Sequence, residues 1–229
     1  MRLCIIPARG GSKRIPRKNI KEFCGKPIIV WSIEAAIKSE CFDRIIVSTD
    51  DEEVATVSQK YGAEVPFLRP KELADDYVGT IPVIAHAIKW QNEHGEVASE
   101  ACCLYATAPF VHISDLQNGL ALLRETKSDY AFSVTSYPFP IQRAVRITPD
   151  NRVEMFMPKH FNSRSQDLEE AWHDAGQFYW GKSESWLSER NIFSKLSVPI
   201  PIPPYRVQDI DTQEDWDRAV CLFEATFNN

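Results

Sequence analysis

Two stretches at opposite ends of the chain carry residue types that handle phosphate. The first runs Pro7-Ala8-Arg9-Gly10-Gly11-Ser12-Lys13-Arg14-Ile15-Pro16-Arg17-Lys18-Asn19. Adjacent glycines let a backbone turn sharply and bring its N–H groups close to a ligand. Arg9, Lys13, Arg14, Arg17 and Lys18 surround them, and fixed cations beside such a loop suit a polyphosphate. The formal charge of the whole chain is -6, so this density of positive charge is local. The second stretch is Asp209-Ile210-Asp211-Thr212. Carboxylates at i and i+2 of an extended segment project to one side. That pair suits Mg²⁺, which takes one or two carboxylates plus substrate phosphates and keeps several waters. A plainer use of the same residues is Asp211 charging the first turn of a helix while Asp209 faces solvent.

Two named glycine motifs do not fit the first stretch. A P-loop needs Gly-x-x-x-x-Gly-Lys-Ser/Thr, and no second Gly-Lys stands at that spacing. A dinucleotide fingerprint opens directly into a helix, which Ile15-Pro16 blocks.

The elements that must hold these residues read as an α/β fold. Leu3 to Ile6 is a buried strand running into the basic loop, and Pro27 is placed as the first residue of a helix. Arg44 to Thr49 is a β-branched strand ending at Asp50-Asp51, which opens a helix from Glu52 to Tyr61 closed by Gly62. Glu64 to Leu68 reads as a further strand, Arg69 to Thr80 as a loop, and Ile81 to Asn92 as a helix. Ala101 to Tyr105 is a continuous apolar strand. Ser114-Asp115-Leu116-Gln117 has the form of a capping box, and Tyr130 to Thr135 is strand-like. Gln177 to Trp180 is a strand, Ser183 to Arg190 a short helix, and Thr212 caps a last helix through Asp215 to Phe227. This alternation predicts a mostly parallel open sheet with helices on both faces, and its ligands belong beyond the carboxyl ends of the strands. Residues 137–173 break the pattern, with four prolines before residue 160, aromatics and both charge signs. They read as an extended arm or small subdomain through which two copies pair, beside a catalytic domain of residues 1–136 and 174–229.

Composition narrows the function classes. A chain of 229 residues with 44% hydrophobic residues supports one large domain. The acidic balance argues against a duplex nucleic-acid partner, and no apolar run approaches the roughly 20 residues of a membrane span. Six cysteines show no zinc spacing and read as reduced thiols, with a cytoplasmic location expected.

The loop Pro-Ala-Arg-Gly-Gly-Ser-Lys-x-Ile-Pro-x-Lys-Asn resembles the signature of the sugar-activating cytidylyltransferases, the CMP-sialic acid synthetase family, and the likeness extends over nearly the whole chain. It implies a Rossmann-like nucleotidyltransferase fold. It also implies that Arg9, Ser12 and Lys18 hold the phosphates of CTP, with Ala8 and the N–H groups of Gly10 and Gly11 lining the loop and Asn19 near the ribose or base. Leu68-Arg69-Pro70 followed by Glu72-Leu73-Ala74-x-Asp76 is similar to the family's base-reading segment, which assigns Arg69 and Thr80 to cytosine. The family carries an Asp-x-Asp-Thr near its C-terminus, which makes Asp209 and Asp211 Mg²⁺ ligands. Tyr105 falls where the sialic acid enzymes place a substrate-contacting Gln, so N-acetylneuraminate itself is questioned. Ser136 to Arg143, Arg164 to Asp167 and Trp172 to Gly181 look like stretches of the pseudaminic acid cytidylyltransferases. By that likeness Arg143 and Arg164 clamp the sugar carboxylate, while Gln142, His173 and Gln177 meet acetamido groups.

The reaction so implied is attack of the anomeric hydroxyl of a nine-carbon α-keto acid sugar on the α-phosphorus of CTP, expelling pyrophosphate. Arg9 and Lys18 stabilise the leaving group, and Asp209 or a hydroxide on the metal accepts the hydroxyl proton. Sialic and legionaminic acids are the neighbouring alternatives. The 3-deoxy-manno-octulosonic acid enzymes differ at the loop, where Lys13 and Arg17 stand in place of their Thr and Gly. A non-catalytic nucleotide or sugar sensor is the rival from another class.

Overall fold

The computed structural model describes residues 1–75 and 77–227; Asp76, part of the expected base-reading segment, lies outside them. In chain order the elements are β1 (Arg2–Pro7), β2 (Glu22–Phe23), β3 (Lys26–Pro27), α1 (Ile28–Ser39), β4 (Arg44–Ser48), α2 (Glu52–Lys60) and α3 (Thr80–His94). There follow β5 (Glu100–Leu104), α4 (Ile113–Thr126), β6 (Tyr130–Ser136), β7 (Val145–Ile147) and β8 (Val153–Met155). The chain ends with β9 (Trp172–Lys182), α5 (Ser183–Leu187), β10 (Ser197–Pro201) and α6 (Gln213–Phe227).

One six-stranded sheet carries the molecule, in the order β10-β6-β9-β5-β1-β4. β4, β1 and β5 pair in parallel, β6 and β10 likewise, and β9 alone runs antiparallel between β5 and β6. Side chains of a strand alternate between faces, and β1 shows what that does here. Cys4 and Ile6 enter a cluster with Ile29 and Ile33 of α1, Val54 of α2 and Leu116 of α4. Leu3 and Ile5 enter the opposite cluster, with Ile84 and Ile88 of α3 and Trp186 of α5. Helices therefore cover both faces, as the alternation predicts. No helix among the described residues is long and apolar enough to cross a membrane. Each of the six cysteines is a free thiol.

A third cluster matters most for the site. Ile15 from the basic loop and Ile210 from between the two aspartates are both buried against Phe23, Phe110, Trp216 and Phe223. Burying each of these isoleucines is worth about 1.5–3 kcal/mol, which ties both ends of the chain to one core.

Several expectations are corrected. The helix placed from Pro27 begins at Ile28, with extended Pro27 as its N-cap. Glu64 to Leu68 forms only two isolated parallel bridges, Ile46 with Glu64 and Thr49 with Leu68, because Pro66 between them has no N–H to continue a ladder. The capping box at Ser114 does not form. The helix starts at Ile113, the His112 ring contacts the Ser114 hydroxyl at 2.8 Å, and the Gln117 amide donates to the Ser39 carbonyl at the end of α1. Thr212 does cap α6: the Asp215 N–H donates to its hydroxyl, and the Thr212 N–H donates to the Asp215 carboxylate. The edge strand β10 has no strand signature in the sequence, because its prolines mask the pattern. Residues 137–171 hold 3-10 turns and the β7–β8 hairpin, while Trp172 and His173 already belong to β9.

Candidate active site

The carboxyl ends of β1, β4 and β5 point to one edge of the sheet, and there a cavity of about 340 Å³ opens. Its wall brings together Arg9, Ser12, Lys18, Asn19, Arg69, Thr80, Tyr105, Asp209 and Asp211. These come from both ends of the chain and from two loops between. Lys13 and Arg14 join them, so five cations face three carboxylates, Asp75, Asp209 and Asp211, among the described residues. That excess favours an anionic ligand.

The loop is shaped from behind. Asn19 donates from its amide to the Arg9 carbonyl at 2.9 Å, which closes the turn upon itself. The Gly10 N–H donates to Asp50 at 2.9 Å, and the Ala8 N–H to the Ser48 carbonyl at 2.9 Å. Ala8 is buried, and neither it nor Gly10 or Gly11 forms the cavity wall. Arg17, one of the five loop cations, points away from the cavity. It adopts a left-handed conformation and forks onto Asp51 at 2.5 and 3.0 Å, with Glu53 also in contact. Asp51 in turn accepts from the Glu53 and Val54 N–H groups as the N-cap of α2. The acidic pair after β4 is thus the loop's scaffold.

At the opposite wall, Lys18 donates to the Ile210 carbonyl at 2.6 Å and lies 3.4 Å from Asp211. Arg14 pairs with the other oxygen of Asp211 at 2.8 Å. Burial, then the charge of Asp211, raises the Asp209 carboxyl above its ordinary value, with Lys18 opposing. The donor set fits a hard divalent cation shared with phosphates, since both carboxylates are oxygen ligands on one wall of an anion-binding cavity. No group of three or more His, Cys, Asp or Glu among the described residues is arranged to hold a metal without such help.

Arg69 is buried, donates to the Ser48 hydroxyl at 3.1 Å and also contacts the Ser48 carbonyl. Burial pushes its guanidinium down to about 10, so it stays charged at neutral pH. Thr80, the first residue of α3, meets the Tyr105 hydroxyl at 3.1 Å. Burial pushes the Tyr105 phenol up to about 12 and Tyr179 beyond the ordinary range, so both keep their protons at neutral pH. Tyr179 donates to Asp174 at 2.5 Å.

Tyr105 stands where three hollows meet. One is the cation-lined cavity; the second is lined by His173, Asp174, Tyr179 and Asp209; the third has Ile81, Pro82, Ile192 and Phe193 on its walls. Asp209 borders both the first and second. Asp174 and Tyr179 were not singled out as site residues from the sequence, because their placement depends on a bulge. β9 shifts register between Phe132 and Val134, and the Ser133 hydroxyl receives the N–H groups of Gln177 and Phe178 there. Gly176 takes a φ of 63°, and its N–H donates to Asp174 at 2.8 Å, fixing that carboxylate at the rim. Only the glycine hinted at this.

The remaining expected sugar residues lie apart. Gln177 is buried, with its amide donating to the Arg206 carbonyl. Gln142, Arg143 and Arg164 are on the arm, where Gln142 donates to the Glu169 carbonyl and Arg164 pairs with Asp167. None of these four lines the cavities described above.

Comparison with known proteins gives the family. Pseudaminic acid cytidylyltransferase of Campylobacter jejuni is 47% identical over 97% of this chain and 96% of its own. CMP-N,N'-diacetyllegionaminic acid synthase of Legionella pneumophila is 28% identical over 97% of this chain and 96% of its own. A CMP:2-keto-3-deoxy-manno-octonic acid synthetase solved with CTP superposes with a TM-score of 0.72 at 16% identity, over 98% of both chains, a likeness of fold. The sequence model of the cytidylyltransferases matches residues 3–227, and the chain belongs to that family.

Proposed function

We propose that this protein transfers CMP from CTP to the anomeric hydroxyl of pseudaminic acid and releases pyrophosphate. The observation that carries the reading is the junction at Tyr105 and Asp209. A cation-lined cavity for a nucleotide there opens into hollows whose walls combine carboxylate, imidazole, phenol and apolar groups. The 47% identity to the Campylobacter enzyme over nearly the full chain supports the choice of sugar.

In this reading Arg9, Ser12 and Lys18 bind the triphosphate, and the two cations take up the charge that develops on departing pyrophosphate. Arg69 and Thr80 face the base. Asp209 borders both substrates' hollows, a position from which it could accept the proton leaving the sugar hydroxyl. Mg²⁺, held by Asp209 and Asp211, would supply charge neutralisation at the phosphates. Tyr105 and His173 line the sugar side.

Residues 137–171 are the pairing arm. Phe139, Ile147, Val153, Phe156 and Phe161 are all exposed there, apolar side chains that a second copy could cover. Arg143 and Arg164 ride on that arm, so as clamps for the sugar carboxylate they serve the cavity of a second copy.

The test is pyrophosphate release from CTP and Mg²⁺ with pseudaminic, N-acetylneuraminic and legionaminic acids offered separately. Release with pseudaminic acid alone is expected. Release with another sugar only would keep the nucleotide site and overturn the sugar assignment; Asp211→Ala is expected to abolish Mg²⁺-dependent turnover with the fold intact, and undiminished activity would remove the metal assignment.

A further inference from the structure

Asp209 and Asp211 ride on chain that belongs to no sheet. Between the 3-10 turn Pro204–Arg206 and α6, residues 207–211 make no ladder hydrogen bonds. Something must hold it in one place.

The downstream anchor is clear: the Ile210 side chain is buried, and its carbonyl accepts from Lys18. The upstream anchor is Arg206. Its guanidinium forks onto Asp115, in the first turn of α4, at 2.6 and 3.4 Å. The two side chains are only 14% and 11% exposed. The Arg206 carbonyl is held as well, by the Gln177 amide of β9 at 2.5 Å. Both the side chain and the outgoing peptide of Arg206 are thereby fixed, three residues before Asp209. None of Arg206, Asp115 and Gln177 lines the cavities of the site.

A buried ion pair is a weak source of stability, because desolvation offsets most of the attraction; its best-attested use is to select one arrangement among several. We propose that Arg206, braced by Asp115 and Gln177, is a positioning residue that sets where Asp209 stands relative to Asp211 and Lys18. Its role is to keep the carboxylate pair in register for a divalent cation. The inference rests on the assignment of Asp209 and Asp211 as the metal ligands.

The experiment uses the full chain saturated with CTP and titrated with Mn²⁺, followed by water proton relaxation, so that no turnover is needed. Single variants such as Arg206→Met leave Asp115 buried and unpaired, and risk unfolding. The informative variant is therefore the double Asp115→Leu/Arg206→Met, which replaces the fork by apolar groups and is expected to melt close to the parent. Groups bonded directly to a metal ligand are typically worth about 10-fold or more in metal affinity; the brace acts through three residues of backbone, and a weakening of several-fold, up to about 10-fold, is expected for the double variant. CTP affinity measured without metal should not change. Unchanged Mn²⁺ affinity in a well-folded double variant, with Asp209→Ala and Asp211→Ala both impaired, would overturn the brace alone. Unchanged Mn²⁺ affinity in the two alanine variants would remove the metal assignment, and the brace with it.

Discussion

Replacing Gly10 by alanine probes how the phosphate loop is held. A Cβ at that position would lie 2.5 Å from Asp51 Oδ2 and 2.8 Å from Asp51 Cβ. The oxygen can swing aside, but Asp51 Cβ is fixed by the backbone at the head of α2, so the loop or the helix must retreat. Retreat loosens the cap that Asp51 gives to the Glu53 and Val54 N–H groups, at 3.0 and 2.9 Å, and its fork with Arg17. A lost aspartate cap costs about 1 kcal/mol and a partly exposed ion pair about 0.5 kcal/mol, and residual crowding brings the sum to about 2 kcal/mol. For a chain of this size that is a fall in melting temperature of about 4–8 °C. The control is the adjacent residue: a Cβ on Gly11 meets nothing within 4 Å. Thermal unfolding followed by circular dichroism should therefore separate the two variants, with Gly11→Ala close to the parent. Titration with CTP should show weaker binding in Gly10→Ala, because the displaced loop carries Arg9 and Ser12. Equal melting temperatures for the two alanine variants would refute the scaffold role of Asp51.

Other tests follow from the same geometry. The fork from Arg17, then α2 N–H groups, holds the Asp51 carboxyl below its usual value against burial. A carboxyl depressed in the folded state contributes stability that is complete above about pH 4 and is lost as pH falls through its folded value. Arg17→Met should accordingly lower the melting temperature at pH 7, with the gap from the parent closing as acid protonates Asp51. Tyr179→Phe cuts the link from Tyr105's neighbour to Asp174; KM for the sugar should rise several-fold while KM for CTP holds, and equal rises would place the phenol at the nucleotide instead. Phe139→Asp on the arm should shift the chain toward monomer in sedimentation, and an unchanged sedimentation profile would remove the arm as the pairing surface.

What the sequence shows and hides has physical causes. The strands β1, β4, β5 and β6 are legible because buried branched runs are local signals, and the carboxyl ends of the first three mark the edge where the cation-lined cavity opens. The basic loop is legible as a motif, but charge alone does not separate Arg14, which reaches the cavity, from Arg17, which turns back to α2. That choice depends on Asp51, a residue contributed by another element. Ser114 and Gln117 make a capping box on paper, yet the Gln117 amide finds the end of α1 instead. The sugar side is least legible, since Asp174 and Tyr179 reach the rim only through the register shift of β9 against β6. Gln177 lies in that same bulge, and its amide turns inward to Arg206.

The edges of the sheet carry a consequence for assembly. The Ile202 N–H donates inward to the Val134 carbonyl, so along β10 the residues of the opposite parity aim their nitrogens at solvent. Those residues are Ser197, whose N–H donates to the Ser194 carbonyl, and Pro199 and Pro201, which have no hydrogen to offer. At the other edge, β4 is covered by the segment from Glu64 to Arg69. A foreign strand therefore finds little to add to at either margin, which guards against fibrous growth by strand addition. In the pairing proposed above, two copies would therefore meet through side chains of residues 137–171 rather than by extending either sheet edge.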